Sequence, residues 1–189
     1  MVLGRASSTE GWIAKDVVAR PHSANRDGSA TLATVDEQRI ADLIRVCQRE
    51  AAAAIAEGNP PFGCVITDAQ LRVVAHAHNT GLSDRDPTAH AEMNALRQLA
   101  KRLGTGRLEG HVSFANASSC SMCTSALIKA GITRFYYGAP PEPIMDPWLP
   151  MEEVAARSRH TIELHGPILG DECAAQIAGG RDRLRGAGS

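Results

Sequence analysis

Thr88-Ala89-His90-Ala91-Glu92 and Ser119-Cys120-Ser121-Met122-Cys123 are the two stretches that decide what this chain can fold into. Each follows a loop or strand and opens a helix. Two cysteines at i and i+3 on a helical turn point the same way, so both sulfurs can reach one ion. A helix start also favours thiolate, because free N–H groups and the dipole stabilise negative charge. His90, Cys120 and Cys123 then make three ligands for zinc, which prefers four, and the open corner is left for water or hydroxide, as in catalytic sites. Glu92, two positions beyond the histidine, need not bind the metal and can carry protons instead.

Working outward, Ile40, Leu43, Ile44, Cys47 and Ala51 recur at helical spacing from a cap at Asp36, and Gly58 marks the stop. Asn59-Pro60-Pro61 turns the chain into two strands, Phe62–Thr67 and Leu71–His78, joined as a hairpin. Thr88 is placed to cap a helix from Ala89 to Leu103, closed by Gly104. A strand at His111–Asn116, a helix at Cys120–Lys129 and a strand at Ile132–Gly138 follow. After the proline-rich segment Ala139–Pro150 come a short helix at Met151–Arg157, a strand at His160–Leu164 and a helix from Asp171 to Ala178. Strand and helix alternate in the second half, which predicts parallel crossovers and one mixed sheet with helices on both faces. Residues 1–30 and 181–189 read as tails around a domain spanning 31–180.

Composition narrows the function. Twenty basic residues against 21 acidic ones give a net charge of −1, with signs interspersed, which argues against a phosphate-tracking surface and so against nucleic acid as partner. No apolar run is long enough for a membrane span, and the first residues lack a secretory signal. Five cysteines, an odd number, do not suggest a disulfide framework, and a cytoplasmic location is expected.

Asn79, Asp86-Pro87-Thr88-Ala89-His90-Ala91-Glu92 and Cys120-Ser121-Met122-Cys123 resemble the cytidine deaminase-like superfamily, whose zinc deaminases carry HxE followed by PCxxC. Pro61-Phe62-Gly63 is similar to the branch holding guanine, fungal-type cytosine and tRNA adenosine deaminases. The resemblance covers Asp36 to Gly138. It implies an α/β fold, a three-layer α/β/α sandwich on a five-stranded mixed sheet, one zinc ion per chain, and assembly as a homodimer. It further implies that Asn79 binds the base and that the Ala91 N–H faces a ring carbonyl. The Ser118 carbonyl would accept from the amine being lost, and the Cys120 N–H would steady the attacking oxygen. The family's proline before the first cysteine is Ser119 here. That residue restores an N–H and adds a hydroxyl near the metal, which makes an altered substrate or rate plausible.

The expected activity is hydrolytic deamination of a small aminated heterocycle, a guanine- or cytosine-like base or nucleoside, with release of ammonia. A pterin or triazine deaminase, a tRNA adenosine deaminase and a noncatalytic zinc scaffold are the alternatives. A thiol redox pair would also use CxxC but needs no upstream His-x-Glu, and a closed structural site needs a fourth protein ligand. In the proline-rich segment, Trp148 could stack on a flat base and Asp146 could read its edge, or Trp148 could anchor a loop. Cys47, Cys64 and Cys173 read as small buried hydrophobes. His76 and His78 share a strand face and read as a packed or surface pair rather than a second metal site. Arg181, Arg183 and Arg185 read as solvated charges.

Overall fold

Five strands form one sheet in the order β2-β1-β3-β4-β5 in the computed structural model, which describes residues 32–143 and 147–187. The strands are β1 (Gly63–Thr67), β2 (Val73–His78), β3 (Val112–Ala117), β4 (Arg134–Ala139) and β5 (Glu163–His165). The helices are α1 (Leu32–Ala56), α2 (Ala91–Leu103), α3 (Ser121–Lys129), α4 (Met151–Ala156) and α5 (Gly170–Ala187). β1 runs antiparallel to both β2 and β3, while β3, β4 and β5 are mutually parallel. The mixed sheet and its order of elements are those read from the sequence.

Alternation along β1 divides the core into two layers. Cys64 and Ile66 pack with Leu99 of α2, Leu127 of α3 and Met151 of α4. Val65 faces the other way, onto Leu43, Ile44 and Cys47 of α1 and Cys173 and Ile177 of α5. Gly63 permits the closest approach: a Cβ there would stand 2.1 Å from the Cys47 carbonyl oxygen, so α1 lies directly on the sheet. Cys47, Cys64 and Cys173 are fully buried, as expected.

Several boundaries differ from the sequence reading, and three of the differences have a clear physical reason. α1 is already helical at Leu32 and runs through Asp36, because an aspartate inside a helix costs only a fraction of a kcal/mol, roughly 0.7 at most, and does not force a start. α2 begins at Ala91 with His90 as its cap, and Thr88 instead donates its hydroxyl to Asp86 Oδ1 at 2.7 Å. α5 continues to Ala187, so Arg181 lies on a helix and the C-terminal tail read from 181 is mostly helix. The tail read for 1–30 lies outside the described residues. No helix among the described residues is long and apolar enough to cross a membrane.

Candidate active site

The polypeptide delivers its metal-binding side chains by a repeated device. His90 caps α2 with φ −71° and ψ 156°, and Cys120 caps α3 with φ −66° and ψ 167°. Neither makes the side-chain cap hydrogen bond that Ser, Thr, Asp or Asn would make there. Both side chains are thereby released from the backbone and can turn toward each other. Cys123 follows one turn into α3, fully buried.

The loop before α2 is held rigidly. Asp86 Oδ1 accepts from the Thr88 N–H and hydroxyl, both at 2.7 Å, and these bonds hold its carboxyl below the usual aspartate range. Asn59, with no exposure, accepts from the N–H groups of Leu82 and Ser83 at 3.1 and 2.9 Å. Asn94 Nδ2 donates to the His78 carbonyl at 3.0 Å and to Thr80 Oγ1 at 2.9 Å, tying α2 to the end of β2.

His90 Nδ1 stands 3.6 Å from the sulfurs of both Cys120 and Cys123. Bonds of roughly 2.3 Å to sulfur and 2.1 Å to nitrogen, at a tetrahedral angle, place those atoms about 3.6 Å apart. The donor set thus fits zinc in both chemistry and spacing. It is the one group of three or more His, Cys, Asp or Glu among the described residues whose donor atoms lie within 4.8 Å of one another. His76 and His78 form no such group; both bind Glu50 at the surface, at 2.8 and 3.3 Å.

Electrostatics fit the same assignment. A hydrogen bond with Cys123 lowers the Cys120 thiol to about 4 against the cost of burial, and His90 adds to the effect. Cys123 is pushed up in turn by its bond to Cys120 and by burial. His90 is raised chiefly by its hydrogen bond with Cys120. Glu92, 7% exposed, is raised by burial first and then by the charge at Cys120, while a hydrogen bond from the Ser119 hydroxyl works the other way. Where the superfamily has proline, this chain therefore sets a donor against the carboxylate.

His90, Glu92 and Cys120 line a cavity of about 520 Å³ at the carboxyl ends of β3 and β4, the usual ligand position in parallel α/β sheets. Asn79 lines it too; its Oδ1 accepts from the Gly81 N–H at 2.9 Å, so the amide donor is what it can offer a ligand. Ser118 lies on the wall, whereas Ala91 and Ser119 are buried behind it. Pro147 faces the cavity, whereas Trp148, 48% exposed, is not among the residues lining it. Asp146 lies outside the described residues. Phe62, Asn116, Glu142 and Arg181 are among the wall residues that the sequence does not assign to the site.

Residues 37–139 match the cytidine and deoxycytidylate deaminase zinc-binding region. The chain belongs to that family. This zinc deaminase is a hydrolase acting on C–N bonds, and every group placed at the metal falls within the matched span. It is 30% identical over 155 residues to a probable cytosine deaminase of Schizosaccharomyces pombe, covering 76% of this chain and 91% of the relative. It is 35% identical over 97 residues to a tRNA-specific adenosine deaminase of Aquifex aeolicus, covering 51% of this chain but 64% of that relative. Among solved structures, one from a study of tRNA:A34 deaminases superposes with a TM-score of 0.65 at 27% identity, covering 71% of this chain and 98% of that one.

Proposed function

We propose that this deaminase removes the exocyclic amine of a small aminated heterocycle, a guanine- or cytosine-like base, and releases ammonia. The observation that carries the reading is the 3.6 Å spacing of His90 Nδ1 from two sulfurs, beside a buried carboxylate in the wall of one cavity. His90, Cys120 and Cys123 would hold the zinc. Bound zinc supplies Lewis acidity, bringing the pKa of a coordinated water to about 7.

The chain's own groups do the rest. Glu92 takes a proton from the attacking water and passes it to the ring nitrogen next to the amine-bearing carbon. As the C–N bond breaks, Glu92 returns the second water proton to the departing amine, leaving a carbonyl on the ring. Its burial excludes competing water. Asn79 presents a donor to the base, the Ser118 carbonyl receives the amine, and the Cys120 N–H steadies the oxygen.

A tRNA adenosine substrate is the second reading, favoured by the Aquifex aeolicus relative. Against it, the only Lys or Arg among the described residues lining the cavity is Arg181, already paired with Glu142. Tracking a phosphate backbone needs several free cations. A homodimer in a reducing, cytoplasmic setting belongs to the same proposal, supported for the setting by five free cysteines. Sedimentation giving only a 20.1 kDa species would remove the dimer.

The test is a panel of bases, nucleosides, pterins, triazines and an adenosine-containing RNA stem-loop, with ammonia as the readout. Turnover of a base, lost in Glu92→Gln at unchanged zinc content, supports the proposal. Activity on the RNA alone, or undiminished turnover in Glu92→Gln, contradicts it.

A further inference from the structure

The metal site and Glu92 lie within residues 37–139, but one side of the cavity is built by residues beyond that span, Glu142 and Arg181 among them. The two form an ion pair at the wall, Arg181 Nη1 donating to Glu142 Oε2. The Arg181 guanidinium also sits over the Phe62 ring, 5.7 Å from its centroid. The metal side chains come from α2 and α3 in one layer, whereas Arg181 comes from α5 in the other. A ring seated in the cavity would therefore have its reacting carbon toward one layer and a different edge toward Arg181 and Glu142.

The placement of Arg181 is a product of close packing. A Cβ on Gly180 would lie 2.6 Å from Pro61 Cβ and 2.9 Å from Ile55 Cδ1, so only glycine lets α5 come this near to the turn that carries Phe62. Anchoring the helix does not require the ion pair. Cys173 and Ile177 are buried, and Gln176 Nε2 donates to the Gln48 carbonyl at 2.7 Å. A half-exposed ion pair, 28% and 39% open, adds little stability of its own.

We infer that Arg181 and Glu142 read a neutral edge of the substrate ring on which an N–H stands beside a carbonyl, a lactam edge. This rests on the proposed base-deaminase reading and narrows it. The pair makes one N–H to oxygen contact rather than two, which leaves Glu142 Oε1 as an acceptor and further guanidinium N–H groups as donors. A ring N–H can donate to the carboxylate while the adjacent carbonyl accepts from the guanidinium. An anionic substituent would instead have to displace Glu142 from Arg181 and lie beside its charge. Free cytosine and free guanine both carry a lactam edge; adenine lacks one, and cytidine has lost it to the glycosidic bond.

Methylation of the lactam nitrogen isolates the contact. With the zinc-loaded full chain, kcat/KM is measured for cytosine against 1-methylcytosine and for guanine against 1-methylguanine. Losing a hydrogen bond to a charged group predicts a preference for the unmethylated base of roughly tenfold to a hundredfold in whichever pair turns over. In Arg181→Ala and in Glu142→Ala, each with folding and zinc content checked, that ratio falls toward one. Should one variant fail to fold, the other carries the comparison. A ratio near one in the unmodified protein, or a ratio left intact by the substitutions, overturns the inference while the deaminase reading stands. A preference for cytidine 5′-monophosphate that Arg181→Ala abolishes overturns it in favour of an anion site. If no base yields ammonia, the proposed function fails first and this inference with it.

Discussion

Replacing Asn116 with alanine tests how the cavity floor is tied to the fold. Asn116 has no exposure; its Oδ1 accepts from the Gly63 N–H at 2.9 Å and its Nδ2 donates to the Pro61 carbonyl at 3.0 Å. The two bonds staple the turn carrying Phe62 to β3, at the point where both border the cavity. Alanine removes both hydrogen bonds and leaves a buried N–H and C=O without a partner, at about 1–3 kcal/mol each before relaxation. The expected loss is about 2–5 kcal/mol, a large part of the roughly 5–15 kcal/mol that holds a domain together. Urea unfolding of the zinc-saturated protein at two zinc concentrations separates this loss from metal linkage. A loss under about 1 kcal/mol, with the midpoint scarcely moved, would refute the stapling role.

Two neighbouring glycines should answer alanine with opposite signs. Gly179→Ala meets nothing within 4 Å and should stabilise α5 by about 0.5–1 kcal/mol; Gly180→Ala should cost about 0–2 kcal/mol net, overpacking against Pro61 outweighing the helix gain, and should lower kcat/KM by displacing Arg181. Thermal melts and kinetics of both decide it, and equal stabilisation by both would contradict the packing described. Partial burial opposes charge on His78, but hydrogen bonds to Glu57 and Glu50 outweigh it and raise its pKa. Since the folded value exceeds the unfolded one, its contribution is complete below the unfolded pKa of about 6.5 and fades as pH rises through the folded value. The stability lost in His78→Ala should accordingly be larger at pH 6 than at pH 9 in denaturant titrations, and an equal loss at both would contradict this.

The site's metal half was legible because two short motifs each needed only a local helix start to aim their side chains. The sheet was legible for a similar reason: the short apolar run Phe62–Ile66 after the Asn59-Pro60-Pro61 turn and the strand–helix alternation after His111 are both local signals. The opposite wall was not. Gly179 and Gly180 argue against a helix on propensity, which favours a stop near Ala178 and leaves Arg181 in a tail. What overrides that propensity is the contact of Gly180 with Pro61, distant in sequence. Residue preference makes Thr88 a cap, whereas the loop commits it to Asp86 and leaves the cap to His90. Function displaced the ordinary helix rule there, as it does where a site draws on fold stability.

X-ray absorption at the zinc edge of the metal-loaded chain tests the central claim directly. The account predicts one zinc per chain with two sulfurs at about 2.3 Å and two lighter atoms at about 2.0–2.1 Å, one from imidazole and one exchangeable with solvent. A shell with three or four sulfurs, or one in which His90→Ala leaves the imidazole signal unchanged, would contradict it.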